Sequence, residues 1–495
     1  MKDTYRKFAR NVFVVGATSA VQFVLGIVQL PLLTKTLGAS GYGLWMQVLV
    51  TRSLLAPFTG LGLGDSLVRF LANEKDRDEI QEQFYSVILV SFGANLIVSL
   101  AVFALAYPLA MNFFEGAVQV VRLTAILVLM TPVTLLYLEL FRAFQEMKKY
   151  SAFILAENIA RMSLFAYLVL NGYGVVSIVL AAVGVYAVIF AVLFFLVKSR
   201  IGIKRPRFRY IREYLRFGLP LVPRSMSYWF INLSDRYVIS FFLGVAPVGA
   251  YSAAYGIGGV PYIICNVLFI VLMAPISQLY DAGKMVEART YLRFSVKYFL
   301  AIMIPFVFGA AFLAEPVLRI FSTPDVASQA RSSVPLLATA VLFLGVHNII
   351  SLILIVTRKT KTLAIIWIAA ALLNLGLNII LVPRIGIVGA AIGTIAAYSL
   401  VLGLVSYYSF REFKFNIDWL FILKSVFASV VMSVVVWFMA PEAALPTLLA
   451  VAVGVVVYGV IVVLLRGFSR SEISFFWSLL RRKSAAAERT DALEI

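Results

Sequence analysis

Apolar residues run in long blocks from one end of the chain to the other, broken by short polar stretches. Blocks of about 20 apolar residues match the length of a helix that crosses hydrocarbon. We count about fourteen such segments, near 9–33, 41–63, 84–110, 120–141, 153–171, 174–198, 217–243, 247–275, 297–320, 332–356, 363–382, 387–409, 420–440 and 445–466. They are too long and too continuously apolar for barrel strands, so helices are expected, with every backbone group satisfied inside its own segment. The pattern predicts an all-α polytopic membrane protein.

Composition sharpens this picture. Hydrophobic residues make up 62% of the chain and charged residues 14%, and mean hydropathy is +0.95. That leaves too little polar surface to face water all round. The basic N-terminus, Lys2 to Lys7, precedes an apolar stretch too long for a cleaved leader, so 9–33 is expected to be a retained first membrane helix. The one cysteine, Cys265, lies in an apolar segment and has no partner for an intrachain disulfide.

Net charge is +19. On a water-soluble protein that would point to nucleic acid. Here the basic residues fall on alternate loops, including Arg69, Lys75 and Arg77, then Arg142, Lys148 and Lys149, then the run from Lys198 to Arg216. The opposite loops offer only Lys35, Arg319, Arg331 and Arg384. An excess of Lys and Arg marks the cytoplasmic side, so both termini are expected there, in the inner membrane. No nucleic-acid partner is expected.

An internal repeat organises the segments. Leu37-Gly38 with Gly41-Tyr42 returns as Leu243-Gly244 with Gly249-Ala250-Tyr251, and Gly174 to Tyr186 returns as Gly386 to Tyr398. The offsets are about 206 and about 212 residues, the pattern of parallel repeats related by a pseudo-two-fold axis along the membrane normal. The expected layout is an N-terminal lobe of six helices (1–198), a basic linker (199–216), a C-terminal lobe of six helices (217–410), two additional helices (411–466) and a tail (467–495).

Charge inside a membrane segment is expensive and marks candidate function. Arg52 is expected roughly 16 Å into its segment at 1.5 Å per residue, with no acid one turn away. A lone guanidinium there suits a diphosphate or a uronic acid, which it binds in bidentate fashion. Arg161 follows Glu157 and Asn158 on one helix face, which leaves two readings open, a self-neutralising pair and a ligand contact, and Glu157 is the nearest candidate for ion coupling. In 217–243, Arg224, Tyr228, Asn232 and Asp235 keep helical spacing and form a polar stripe, while Arg236 points off it. Pro220 and Pro223 are expected to bend that helix. Arg122, Glu139 and Lys424 read as boundary residues, His347 as a packing residue, and Asn374 with Asn378 as a helix-to-helix tie. No nucleophile–base pair or metal cluster is visible, so no catalytic residue, metal or cofactor is expected.

Leu37-Gly38-Ala39-Ser40-Gly41-Tyr42-Gly43, Ser234-Asp235-Arg236-Tyr237, and Val382-Pro383-Arg384-Ile385-Gly386-Ile387-Val388-Gly389 resemble signatures of the polysaccharide and O-antigen flippases. These belong to the multidrug, oligosaccharidyl-lipid and polysaccharide exporter superfamily. The resemblance implies two lobes around a cavity that opens alternately to each side. It also implies cavity arginines that meet an undecaprenyl-diphosphate-linked anionic glycan, with membrane lipids and polysaccharide polymerase machinery as partners. Lipid-II flippases concentrate basic residues in the first segment, whose membrane part here has Gln22 and Gln29 but no arginine, which disfavours a peptidoglycan precursor. Three other readings remain: a cation-coupled multidrug-type antiporter of the same fold, which would favour acids in its pocket; a membrane glycosyltransferase or polymerase, which would need a larger outer loop; and a structural scaffold without transport, which the polar stripes and repeated lobes disfavour.

Overall fold

The computed structural model describes residues 2–72, 74–439, 441–469 and 472, apart from the side chains of 2–9, 12, 13, 224, 227, 228, 266 and 270. The described residues form helices throughout: α1 (Lys2–Gly60), α2 (Leu63–Leu71), α3 (Arg77–Ala104), α4 (Ala106–Phe113), α5 (Val118–Ala143), α6 (Met147–Leu170), α7 (Val175–Ile201), α8 (Ile211–Gly218) and α9 (Leu221–Leu243). Then come α10 (Val245–Gly258), α11 (Tyr262–Asp281), α12 (Met285–Phe321), α13 (Pro324–Ala330), α14 (Ser333–Val356), α15 (Thr360–Ile385), α16 (Ile387–Glu412), α17 (Trp419–Met439) and α18 (Ala444–Leu464).

Twelve helices among the described residues are long and apolar enough to cross a membrane. The chain is a multi-pass membrane protein. The expected segments 9–33 and 41–63 form the two helical arms of α1, separated at Gly38, whose backbone is not helical (φ 69°, ψ −173°). Segment 217–243 forms α9, whose polar residues keep it out of the twelve. The segment expected at 247–275 is divided into α10 and α11, because Gly258, Gly259 and Pro261 interrupt the helical ladder. Pro220 and Pro223 do not bend α9: Pro220 is its N-cap and Pro223 lies in its first turn, where a missing N–H costs nothing.

The fold forms two compact units. Unit 1 comprises Met1–Val260, Leu318–Ala340 and Thr360–Leu404, and unit 2 comprises Pro261–Val317, Val341–Lys359 and Val405–Ile495. In unit 1, Leu63, Leu67, Phe84, Tyr137, Leu140 and Tyr214 build an apolar core from α2, α3, α5 and α8. In unit 2, Leu313, Met432, Val436 and Ala450 pack α12 against α17 and α18. Many large apolar side chains face outward, among them Ile97, Leu170, Leu372 and Phe438. Such a surface is stable with lipid as its solvent.

The linker is bound to unit 1 rather than hanging free. The Glu82 carboxylate accepts the backbone N–H groups of Arg207 (2.8 Å) and Arg209 (3.3 Å). Tyr85 donates to Gly202 O (2.7 Å), and Tyr214 on α8 donates to Gln83 (2.7 Å). Gly62, in the left-handed region (φ 66°), lies against the backbone of Gly218 with no room for a side chain. At the start of α6, burial raises the Glu146 carboxyl, but hydrogen bonds and charge from Arg200 and Lys149 outweigh it and hold the group below the ordinary carboxylate range.

At the other end, α1 and α10 cross through glycine. A Cβ on Gly43 would run into the backbone of Val245, and one on Gly249 into Ala39 O and Gly43 N (3.1 Å). The contacts are reciprocal: residue 39 is to 43 as 245 is to 249. Gly38 and Gly244, which open these two stretches, share one unusual backbone conformation (φ 69°, ψ −173° and φ 91°, ψ −179°). Gly43→Ala is therefore expected to force the two backbones apart. The cost is about 1–3 kcal/mol, as for other overpacked contacts, read as a lower melting temperature of the purified protein.

Candidate functional site

A cavity of ≈ 870 Å³ opens in unit 1 between α1, α2, α5 and α9. Arg52, Ser53 and Thr59 line it from α1, Asp65 from α2, Thr131, Leu135 and Glu139 from α5, and Ser225 and Trp229 from α9. Helical spacing produces this wall directly. Arg52, Ala56, Thr59 and Gly60 recur at intervals of three and four, as do Ser225 and Trp229. Pro132 and Pro57 fall within the lining, where helix carbonyls lose their partners.

Arg52 donates through Nη1 to Tyr186 Oη on α7 (3.0 Å). It makes no ion pair among the described residues. A guanidinium has five N–H donors, so most of them remain for a ligand. Two ties brace α1 against α9 beside it: Thr51 with Tyr237 (2.6 Å), and Trp229 Nε1 donating to Val50 O (3.2 Å). Of the two carboxylates in the lining, Glu139 is neutralised by Arg142 (2.8 Å). Asp65 is exposed, and Gly60, on its side of Arg52, is about 12 Å further along α1.

The other candidates lie elsewhere. Arg161 is bound to Glu157 (2.8 Å) and Asn158 (2.8 Å) and lines a separate pocket of ≈ 50 Å³ with Gln22, Gln29 and Phe165. That volume admits a water or two and no sugar. Asn232 accepts a hydrogen bond from Tyr398 on α15's neighbour α16 (2.9 Å). Asp235 and Arg236 pair with each other (2.7 Å) and are 0% and 2% exposed. Tyr251 of α10 donates to the second Asp235 oxygen (2.6 Å), and the Arg236 guanidinium lies over the Tyr255 ring at 4.4 Å. The side chains of Arg224 and Tyr228 lie outside the described residues. The structure thus places Arg52 in the large cavity and Asp235 and Arg236 in a buried ion pair, in which Arg236 Nε has no hydrogen-bond partner among the described residues.

Sequence reasoning passed over Tyr186, Trp229, Thr131 and Asp65, and read Glu139 as a boundary residue. One signal for Tyr186 was present. The repeat that pairs Gly174–Tyr186 with Gly386–Tyr398 ends on two tyrosines, and these hold Arg52 and Asn232 respectively. Elsewhere, Arg122 is exposed beside the Phe103 ring (5.5 Å), Lys424 donates to Arg466 O (3.1 Å), and Asn378 donates to Asn374 on its own helix (3.1 Å). His347 is buried.

Comparison with known proteins agrees with this architecture. Over 238 residues the chain is 24% identical to the Probable low-salt glycan biosynthesis flippase Agl15 of Haloferax volcanii, covering 47% of this chain and 50% of the relative. Over 316 residues it is 26% identical to the succinoglycan biosynthesis transport protein ExoT of Rhizobium meliloti, covering 60% and 59%. The chain spans about half the length of the curated relatives it matches. Its fold is similar to that of a solved lipid II flippase MurJ in an inward closed conformation, with a TM-score of 0.74 at 18% identity, over 91% of this chain and 98% of that one. The MatE family model matches residues 220–380. The model of the polysaccharide biosynthesis protein family matches residues 8–279, more than half of the chain, and the chain belongs to that family.

Proposed function

We propose that the chain is a transporter, not an enzyme: a flippase that moves a lipid-linked, undecaprenyl-diphosphate-type anionic oligosaccharide across the inner membrane by alternating access. The observation that carries this reading is Arg52, a guanidinium bonded to Tyr186 and without an ion pair among the described residues, at the wall of a ≈ 870 Å³ cavity. An anion that reaches it exchanges water for charge-assisted hydrogen bonds, and a planar fork suits phosphate or carboxylate oxygens. The cavity holds a headgroup of a few sugars, while the prenyl chain stays in lipid.

The loop charges support an orientation with both termini cytoplasmic. The 1–198 and 217–410 lobes are the rocking bodies in this scheme, and the repeated Gly38 and Gly244 geometry supports their equivalence. Ion coupling at Glu157 would act through its bond to Arg161, and polymerase machinery would take the delivered glycan. The MatE match favours a second reading, cation export, but the Arg52 guanidinium in the lining, with no ion pair among the described residues, repels a cationic drug. Deleting the protein from its own cells tests the proposal. The reading requires a lipid-linked acidic glycan to accumulate on the cytoplasmic side. Unchanged levels of every lipid-linked glycan would end it.

A further inference from the structure

A second cavity, ≈ 360 Å³, lies in unit 2 at the ends of α17 and α18 beside α12. Arg293, Lys297, Asp418, Lys424, Arg466 and Glu472 line it. Lys297 is nine-tenths buried and bound to Glu472 (3.0 Å), with the Phe421 ring 5.1 Å away. Burial raises the Glu472 carboxyl, and hydrogen bonds from Ser469 and Lys297 outweigh it, so the group sits below the ordinary carboxylate range. Arg293 is within 3.7 Å of Asp418. The two acids are thereby answered. Lys424 and Arg466 meet no carboxylate among the described residues, and Lys424 donates only to the Arg466 carbonyl (3.1 Å).

Arg466 is also held at a conformational cost. It ends α18 in the left-handed region (φ 51°), with Arg466 N bonded to Val463 O (2.9 Å) and Gly467 N to Val462 O (2.8 Å). Glycine usually fills that position of a helix-ending turn. Beside Lys424, α17 presents Trp419, Leu420 and Leu423, which are 68%, 63% and 67% exposed. Cations next to an aromatic and aliphatic flank match the boundary between lipid headgroups and acyl chains.

We propose that this cavity holds the phosphodiester of an anionic phospholipid, with Lys424 and Arg466 on the phosphate oxygens and the acyl chains along Trp419, Leu420 and Leu423. The orientation proposed above would make it a lipid of the inner leaflet. The site does not depend on the transported substrate. It would fasten the ends of α17 and α18 to the membrane surface.

The test uses the full chain in detergent, titrated by native mass spectrometry with dioctanoyl phosphatidylglycerol, dioctanoyl phosphatidylcholine and inorganic phosphate. Phosphatidylglycerol is expected to bind most tightly. Lys424→Gln with Arg466→Gln should weaken it about 30-fold, the combined effect of two basic groups at a membrane surface. Lys424→Arg should retain binding. Lys148→Gln with Arg212→Gln removes equal charge from exposed positions in unit 1 and should leave binding unchanged. Equal affinity for both lipids, an equal loss in the control pair, or phosphate binding as tightly as phosphatidylglycerol would each overturn the site.

Discussion

Arg52→Ala is expected to reduce glycan export by about ten- to a hundredfold, the value of one hydrogen-bonded charge. The protein should still reach the membrane in normal amounts. Arg52 gives its bond to Tyr186 across a cavity wall and makes no ion pair among the described residues, so its removal strands no buried partner charge. The measurement is translocation of lipid-linked acidic glycan in proteoliposomes, scaled to the amount of folded protein. Arg52→Lys keeps the charge without the planar fork, so its rate should fall between wild type and Ala. Tyr186→Phe should cost less than Arg52→Ala, because it loosens the orientation of the guanidinium but leaves its charge in place.

Asp235→Asn should behave in the opposite way, lowering stability before it touches transport. Arg236 has its charge answered only by Asp235 among the described residues, and both are almost completely buried. Breaking such a pair from one side costs about 3–5 kcal/mol, because the remaining charge stays buried. The amide keeps one acceptor oxygen, so either Arg236 or Tyr251 would face an NH2 group in place of an acceptor. A lower melting temperature and less folded protein are expected, with export per folded molecule near wild type. Asp235→Asn that melts normally but fails to transport would move this pair from the framework into the binding machinery.

The contrast between these two arginines shows how far the sequence could be read. Both stood out as cations inside apolar segments. For Arg52, the absence of an acid one turn away was readable locally, and it makes no ion pair among the described residues. For Arg236, helical spacing suggested a side chain turned from the Asp235 stripe, since adjacent residues do not share a face. The guanidinium is long enough to fold back to Asp235 and to the Asn232 carbonyl. Tyr251 and Tyr255 then close over it from another helix, which no local pattern could supply.

The fold was legible because membrane helices announce themselves by length and apolarity. The break at Gly258, Gly259 and Pro261 was missed, because the apolar run 247–275 continues across it and glycine and proline both occur inside membrane helices. The break at Gly38 was legible: the segments 9–33 and 41–63 were separated there, and Gly38 adopts an extended, positive-φ geometry between the two arms of α1. The walls of the cavity were the least legible. Thr131 and Trp229 line it from two helices and Tyr186 reaches Arg52 from a third, and only packing brings them together. The docking of the linker by Glu82 was equally hidden, because a carboxylate in an apolar helix gives no hint that its partners are backbone N–H groups more than 120 residues away.

Everything in the functional account requires an anion to reach Arg52. Equilibrium binding of an undecaprenyl-diphosphate-linked acidic oligosaccharide to the detergent-solubilised wild type and to Arg52→Ala tests this most directly. We expect affinity to fall about tenfold or more in the variant with no change in melting temperature. Equal affinity in two equally stable proteins would contradict the account.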